Sequence, residues 1–388
     1  MLTFESFTGI NNVAPAHRLS GADLLVATDV DIGLTGEITR RAGFTEVHAS
    51  CHKNIYDGKG FMLATTGSEL VAIHPGDVRH VIHPSIGPGR VWYCNLPDGR
   101  TTYTNGLIHG TTDGVTCQDR SVPVPHSLGA PDTAFGDLFP GQYRYHLTAR
   151  RMADGAESPA ISSTPITISQ GGLRLDGLPV RLGYEVLVYL SGKDGEGAYL
   201  VGSTSGSTFE WGGKNSDLVL PCRTLGARPF PVGTYTAFWR GRVLTAVGNV
   251  LWASRPFSPH LSDWRDFKQF EGDITAVLPV LDGVYVGTTE GLKFLSGTTW
   301  DQLAMVDTRR GAVVPGSGIS APGKKIQLGE GKGSGDAMLC IAGGEIVAGF
   351  NGGQTFSLTS ERYTTAVTEV CAAFREIDGI PQYIAVPQ

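Results

Sequence analysis

The chain has 388 residues with 41% hydrophobic composition, enough for a buried core and for two or three domains. Its 53 glycines and 22 prolines exceed average usage and predict many turns. The formal net charge of −6 and the lack of a basic block interleaved with aromatic residues argue against a nucleic-acid-binding groove, and no apolar run approaches the roughly 20 residues that cross a bilayer.

Hairpin patterns fill residues 1–129, which we interpret as the first part of a larger β fold. Each pattern is a pair of apolar or β-branched runs around a short turn, such as Pro97-Asp98-Gly99. Asp-Gly between such runs is a strong hairpin signal, because glycine reaches the positive φ that the turn needs. The predicted strand pairs are 61–64 with 70–73, 91–94 with 101–104, and 107–110 with 113–116.

Residues 130–229 have a different pattern, and a passage around Pro123 and Pro125 separates them from the first region. Proline removes backbone donors and favours extended chain, as in a linker. Apolar and polar side chains then alternate along 143–150 and 184–190, which is the period of strands with one buried face. Several such strands bounded by turns predict an inserted fibronectin-III-like β-sandwich.

The hairpins return in residues 230–388, the second part of the larger fold. The clearest unit runs from Ile274 to Gly297, with the turns Leu281-Asp282-Gly283 and Thr289-Glu290-Gly291 between its strands. The two hairpin regions predict an all-β fold. We expect a β-propeller interrupted by the sandwich. At ~40–45 residues for each four-stranded blade, the hairpin regions are long enough for about six or seven blades.

Two features near the chain ends bear on how a ring would close. Val367, Val370, Cys371 and Phe374 have helical spacing, but their Thr- and Val-rich context favours a strand. A ring otherwise leaves open sheet edges, which invite unwanted pairing. We therefore expect a strand containing Leu2 and Phe4 to complete the last blade. Its predicted neighbour is Tyr383-Ile384-Ala385-Val386.

The glycine-rich and acidic motifs do not match known catalytic patterns. Residues 329–335 lack the Gly-Lys-Ser/Thr order of a phosphate-binding loop. Residues 202–206 have Thr204 where a nucleophile elbow needs serine. Asp29 and Asp31 resemble the start of a calcium loop whose later ligands are missing, and a solvated strand face is the default interpretation.

Two clusters keep alternatives open. His74, His80 and His83 occur within one stretch that also contains two prolines; we interpret them as polar loop residues rather than metal ligands. Acidic residues surround Trp264, and a glycosidase uses two facing carboxylates. The cluster therefore suits a glycosidase pair, a sugar-stacking site or an anchor at a blade edge. Its acidic members are Asp263, Asp266, Glu271 and Asp273.

The six cysteines lie in distant segments, and none forms a C-x-x-C pair. Zinc sites need closely spaced ligands, so we interpret the cysteines as buried free thiols of a protein made in a reducing cytoplasm. Residues 1–10 lack the basic and apolar regions of a secretory signal peptide. The sequence thus predicts no enzyme activity, no catalytic residue, no metal site and no cofactor.

Two stretches give the chain a resemblance to the β-propeller tail hub or nozzle proteins of short-tailed bacteriophages, sometimes called phage stabilisation proteins. The first contains Gly9-Ile10-Asn11-Asn12 and continues through 27–32 to Gly36-Glu37-Ile38-Thr39-Arg40-Arg41-Ala42-Gly43. The second covers 249–254, 263–276 and 284–295. The resemblance extends over about two-thirds of the chain and leaves out the predicted sandwich. Arg40 and Arg41 either pair with acidic neighbours or form a solvated edge.

The resemblance implies a structural virion protein, made in the cytoplasm of the host bacterium and located in the phage tail. Six copies would form a ring beneath the portal and adaptor, as the lower conduit through which genomic DNA passes without specific binding. An acidic lumen suits that role, because it repels DNA. The ring would carry tail fibre or needle proteins, and the sandwich could touch the host envelope. Two alternatives remain: a receptor- or carbohydrate-binding fibre or baseplate component, and a propeller enzyme acting on glycans.

Overall fold

The computed structural model describes residues 6–388 except 34, 44, 47, 50, 329, 330, 333, 334 and 378. Over these residues the chain is all-β, with many small sheets and no α-helix. Its only helical pieces there are short 3-10 turns, at Ala16–Arg18, Asn215–Asp217, Trp300–Gln302, Gly323–Lys325 and Asn351–Gly353.

The N-terminal segment contains four short strands: β1 Gly9–Ile10, β2 Asp23–Leu24, β3 Val30–Ile32 and β4 Ile38–Arg40. The first two pair in parallel and the last two form a hairpin. Hydrogen bonds join this segment to the C-terminal part of the chain: the Asn12 amide donates to the Thr364 carbonyl at 2.8 Å, and Arg362 pairs with Asp23 at 3.0 Å. The predicted closing strand with Leu2 and Phe4 lies outside the described residues.

Two four-stranded antiparallel sheets follow, each a meander whose strands pair in chain order. Sheet one contains β5 Lys53–Asp57, β6 Met62–Thr66, β7 Glu69–His74 and β8 Val78–His83. Sheet two contains β9 Trp92–Asn95, β10 Thr101–Thr104, β11 His109–Thr112 and β12 Cys117–Asp119. The predicted strand at 113–116 is wrong. The Asp113 carboxylate accepts the amides of Val115 and Thr116 and so forms the turn itself.

The middle of the chain folds around its own core. Its strands are β13 Ala130–Asp132, β14 Ala134–Asp137, β15 Gly141–Tyr143, β16 Tyr145–Arg151, β17 Ile161–Ser162, β18 Ile166–Ile168, β19 Gln170–Gly171, β20 Leu173–Asp176, β21 Tyr184–Ser191, β22 Ala198–Thr204 and β23 Thr208–Trp211. The larger sheets have the orders β13-β20-β23 and β17-β16-β21-β22. Leu147 and Val188 from one sheet pack in a single cluster with Leu173 and Leu175 from the other, all fully buried. The predicted strands along 143–150 and 184–190 are confirmed, but the prediction of a single buried face is wrong, because every side chain along 145–149 and 186–190 is buried.

Three further four-stranded sheets fill most of the remaining chain. A small pair, β24 Arg228–Pro229 with β28 Leu261–Ser262, lies beside the first of them. Sheet three contains β25 Thr234–Trp239, β26 Arg242–Val247, β27 Val250–Ala253 and β29 Phe267–Gln269. Sheet four contains β30 Ile274–Val280, β31 Gly283–Thr288, β32 Leu292–Ser296 and β33 Ala304–Arg310. Sheet five contains β34 Ile319–Pro322, β37 Asp336–Ala342, β38 Glu345–Gly349 and β39 Thr355–Ser357.

The chain ends in a two-stranded sheet. A minor pair, β35 Gln327–Leu328 with β36 Gly331–Lys332, lies within sheet five's first connection. The final hairpin is β40 Val370–Ile377 with β41 Ile380–Pro387. The segment around Val370 and Phe374 is therefore a strand, as its context favoured, and not the helix that its apolar spacing allowed.

Apolar side chains fill the spaces between successive sheets. Val284 and Val286 of sheet four pack with Leu244 and Leu251 of sheet three, and all four are fully buried. Other clusters join sheet one to sheet two, sheet four to sheet five, and sheet five to the final hairpin. Because the hydrophobic free energy is proportional to the apolar area buried, each such side chain contributes about 1.5–3 kcal/mol to the stability of the fold.

The first strands of the sheets lie next to one another: β9 contacts β25, β25 contacts β30, and β34 contacts β40. Arg90, just before β9, reaches the start of β40, where it pairs with Glu369 at 3.0 Å and donates to the Val370 carbonyl at 3.1 Å. The final hairpin is thus bonded to the segment that precedes sheet two. The fourth strands (β8, β12, β29, β33 and β39) lie at the opposite edges of their sheets.

Candidate functional site

The outer edges of the sheets carry exposed apolar side chains. On the fourth strands of sheets one, three, four and five, several such residues are 41–55% exposed. We call them the rim residues: Val78, Val81, Phe267, Met305, Val306 and Phe356. An edge strand presents unpaired backbone groups, and proteins usually protect such edges with charge or cover. Apolar side chains on four such edges favour contact with other protein surfaces.

Two of the four acidic residues around Trp264 are engaged in ion pairs. Asp263 accepts the Arg255 Nε–H at 2.9 Å, and Asp266 pairs with Arg242 at 2.7 Å. Burial raises the pKa of Asp266, while the Arg242 guanidinium opposes that rise. Carboxylates held by arginine are poorly placed to exchange protons with a substrate. The indole of Trp264 is 54% exposed and lies under the Arg265 guanidinium at 4.3 Å.

The three predicted loop histidines lie on strands, so that interpretation is wrong. His74 ends β7, while His80 and His83 belong to β8, because the flanking prolines fall outside the β7–β8 pairing. The His74 and His80 rings contact edge to face at 5.3 Å. His83 instead accepts the Ser85 amide, so the three rings do not converge on one point.

The remaining predicted motifs do not converge either. Asp31 pairs with Arg41 at 3.7 Å, so Arg41 has the acidic neighbour that the sequence allowed. Four residues of the 329–335 loop lie outside the described residues, and Thr204 caps a turn by accepting the Gly206 amide. Within the described part of the chain, no three His, Cys, Asp or Glu side chains form a group able to hold a metal ion.

The prediction of six buried cysteines is wrong for most of them. Cys94 and Cys340 are buried in the sheets, whereas Cys51, Cys117 and Cys371 are exposed and Cys222 is partly so. Cys117 lies at an exposed position of an outer strand. Cys371 lies on the exposed face of the final hairpin. All six are free thiols.

The structure also forms a cleft that the sequence motifs do not indicate. It lies between sheet two, the turn after β16 and the turn at 255–261. Sequence reasoning missed it because its residues come from distant segments that only the fold brings together. The single local signal is the proline-flanked turn Pro256-Phe257-Ser258-Pro259, which predicts a loop but no ligand.

No protein-family model and no curated protein matches the chain. Similar solved structures include BBS1N in complex with ARL6DN, with 10% identity, a TM-score of 0.33, and coverage of 87% of this chain and 89% of that one. The extracellular domain of the putative one-component system BT4673 from B. thetaiotaomicron has 9% identity and a TM-score of 0.24, with 87% and 58% coverage. PorZ, of the type-IX secretion system of Porphyromonas gingivalis, has 12% identity and a TM-score of 0.22, with 90% and 52% coverage. The chain thus spans little more than half of the last two, and similarities this weak support no functional argument.

No helix among the described residues has the length and apolar character needed to span a membrane.

Proposed function

We propose that this chain is a structural protein of a bacteriophage tail, in which six copies form a nozzle or hub ring. In this proposal sheets one to five and the final hairpin are the blades of a six-bladed β-propeller. Residues 130–229 are a fibronectin-III-like sandwich inserted between its second and third blades. The ring surrounds the path of the DNA, contacts the portal or adaptor above, and carries fibre or needle proteins below.

The exposed rim residues are the observation that carries the proposal. Stable protein interfaces usually bury more than about 1,000 Å² and contain apolar centres. The rim residues supply such centres on four outer edges of the fold. A closed ring also needs two different surfaces on every copy, because its contacts are head to tail. Apolar edges on several sheets meet that need, and the resemblance to phage tail hubs supplies the biological context.

Sedimentation and electron microscopy of the purified protein test the ring. We expect particles of about six copies of the 41.2 kDa chain, visible as six-fold rings. Single charge variants, V81E, F267E, M305E and F356E, should include at least two that dissociate the ring, because a head-to-tail contact has two sides.

The control is Leu107→Glu, since Leu107 is 85% exposed but lies in the loop between β10 and β11 and not on an outer strand. It should leave the ring intact. A wild-type protein that stays monomeric at tens of micromolar, and is absent from phage particles, would contradict the proposal.

The alternative of a carbohydrate- or receptor-binding tail component has one observation in its favour, the exposed Trp264–Arg265 stack. Aromatic rings at a surface can pack against sugar faces. The enzyme alternative is less well supported, because Asp263 and Asp266 are already paired with arginines.

A further inference from the structure

The cleft at the base of the inserted region has a volume of about 330 Å³, within the range of small-ligand pockets. Three parts of the chain form it. Arg151 in the insert donates to the Asp119 carbonyl of sheet two at 2.6 Å, and His260 shares a hydrogen bond of 3.0 Å with the Glu157 carbonyl. These bonds hold the insert against both of its neighbours, so the cleft is preformed.

Arg120 lines the cleft and is 2% exposed. Its guanidinium donates to the Thr102 hydroxyl at 3.2 Å and to His109 Nδ1 at 2.7 Å, and it stacks on Phe230 at 4.8 Å. Its Nε–H has no partner, and within the described residues no carboxylate forms an ion pair with it. A buried cation without a counter-ion is costly, so an anion nearby would be stabilising.

Most charged side chains of the cleft are paired. Four arginines and three carboxylates line it. Arg151 is neutralised by Asp154 at 2.9 Å, and Arg100 is neutralised by Asp98, outside the lining, at 2.7 Å. Arg223 is exposed, and its side chain pairs with no acidic residue of the described chain. It is therefore available to an anionic ligand, and guanidinium binds carboxylates with two hydrogen bonds.

The lining of the cleft includes an exposed aromatic ring. Phe257 is 83% exposed, and its backbone has a φ of 54°, which is strained for a residue with a side chain. Its amide donates to the Gly241 carbonyl at 2.7 Å, and its ring lies beside Gly241, so the turn is fixed in place. A fixed exposed ring beside charged hydrogen-bonding groups is the combination that packs on a sugar face while binding its polar substituents.

We propose that this cleft binds an acidic saccharide. The sugar ring packs on Phe257, its carboxylate binds Arg223, and Arg120 contributes positive charge from the floor. The site goes beyond the proposed ring, since it needs only a single copy of the chain.

Calorimetry on the full-length protein tests this with two probes of equal length, trigalacturonate and neutral galactotriose. We expect trigalacturonate to bind and galactotriose to bind at least about tenfold more weakly, with binding reduced by added salt. Arg223→Gln and Phe257→Ala should each weaken trigalacturonate binding by about tenfold. Both side chains are exposed, so folding should be unaffected, and an unchanged melting temperature would verify that.

The matched controls are Arg228→Gln and Phe139→Ala, which alter an exposed arginine and an exposed phenylalanine that do not line the cleft. They should bind like the wild type. The proposal is overturned if trigalacturonate and a sialylated trisaccharide both fail to bind at millimolar concentration. It is also overturned if the controls lose as much affinity as the cleft variants, or if only a glutamate-rich peptide binds. Because a monomer can be used, a negative result leaves the ring proposal standing.

Discussion

At the scale of single residues, three histidines, two buried and one partly buried, couple the fold to pH. Burial lowers the pKa of His109 to about 3 from 6.5, and the Arg120 guanidinium adds to that effect. Burial also lowers the pKa of His146 and of His260. The folded chain thus holds these imidazoles neutral, while the unfolded chain takes up protons below about pH 6.5.

We predict that the free energy of unfolding falls as the pH drops from 7 to 5. For His109 alone the slope approaches about 1.4 kcal/mol per pH unit, because only the unfolded state binds its proton in this window. Urea unfolding at pH 7, 6 and 5 measures it. His109→Asn should make the slope shallower, since the asparagine oxygen lies near the position of Nδ1 and can still accept from Arg120 without titrating.

Substitution of the exposed His17 by asparagine is the matched control and should leave the slope unchanged. The carboxylates with lowered pKa values, such as Asp98 and Asp154, lose their stabilising effect only as the pH falls towards 3.8 and below. They therefore contribute little between pH 7 and 5. An identical slope in the His109→Asn variant would contradict the prediction.

At the scale of elements, glycine acts in two different ways. Gly343 and Gly344 have φ values of 60° and 83° and form the turn between β37 and β38. Gly283 follows Asp282 in sequence but does not have positive φ; a Cβ there would lie 2.3 Å from the Leu295 carbonyl oxygen. That glycine is needed for close strand packing rather than for the turn, so the sequence located the hairpin correctly for the wrong reason.

We predict that Gly344→Ala destabilises the protein more than Gly352→Ala. Both positions have similar φ, 83° and 79°, so backbone strain should lower the free energy of unfolding of each variant by about 1–2 kcal/mol. A Cβ at 344 would also lie 2.8 Å from the Thr364 hydroxyl, whereas one at 352 meets nothing within 4 Å. The extra cost should be about 1 kcal/mol or more, measured as the difference in urea unfolding free energy. Equal costs would show that the segment at Thr364 yields without penalty.

Strand positions were predictable because their signals are local. Alternation along β16 and β21, and turn glycines near 67, 99 and 343, occur within a few residues of each strand. The Asp113 turn was missed because valine and threonine after it favour a strand, while the aspartate side chain satisfies two backbone amides. The cleft was not predictable, since Arg120, Arg223 and Phe257 are far apart in the sequence and only the tertiary fold brings them together.

At the scale of the whole molecule, the two ends of the segment 121–229 lie at one place. Arg120, at the end of sheet two, donates to the Pro231 carbonyl at 3.4 Å and stacks on Phe230, where the chain returns. Phe230 in turn packs with Leu96 of sheet two and Val243 of sheet three. A segment whose ends are adjacent, and whose core is its own, is expected to fold as a separate unit.

We predict that residues 123–226 can be removed and replaced by two glycines without unfolding the rest of the chain. The deletion loses the bonds from Arg151 to Asp119 and from His260 to Glu157, so the melting temperature should fall by several degrees while unfolding remains cooperative. The excised fragment 127–226 should also unfold cooperatively by itself, because its cluster around Leu147 and Leu173 is complete. Circular dichroism melts of the two products measure both. The ends at Arg120 and Phe230 are close enough to join, so the junction itself should not unfold the product. A deletion product without a melting transition would therefore show that residues 123–226 are an integral part of the larger fold.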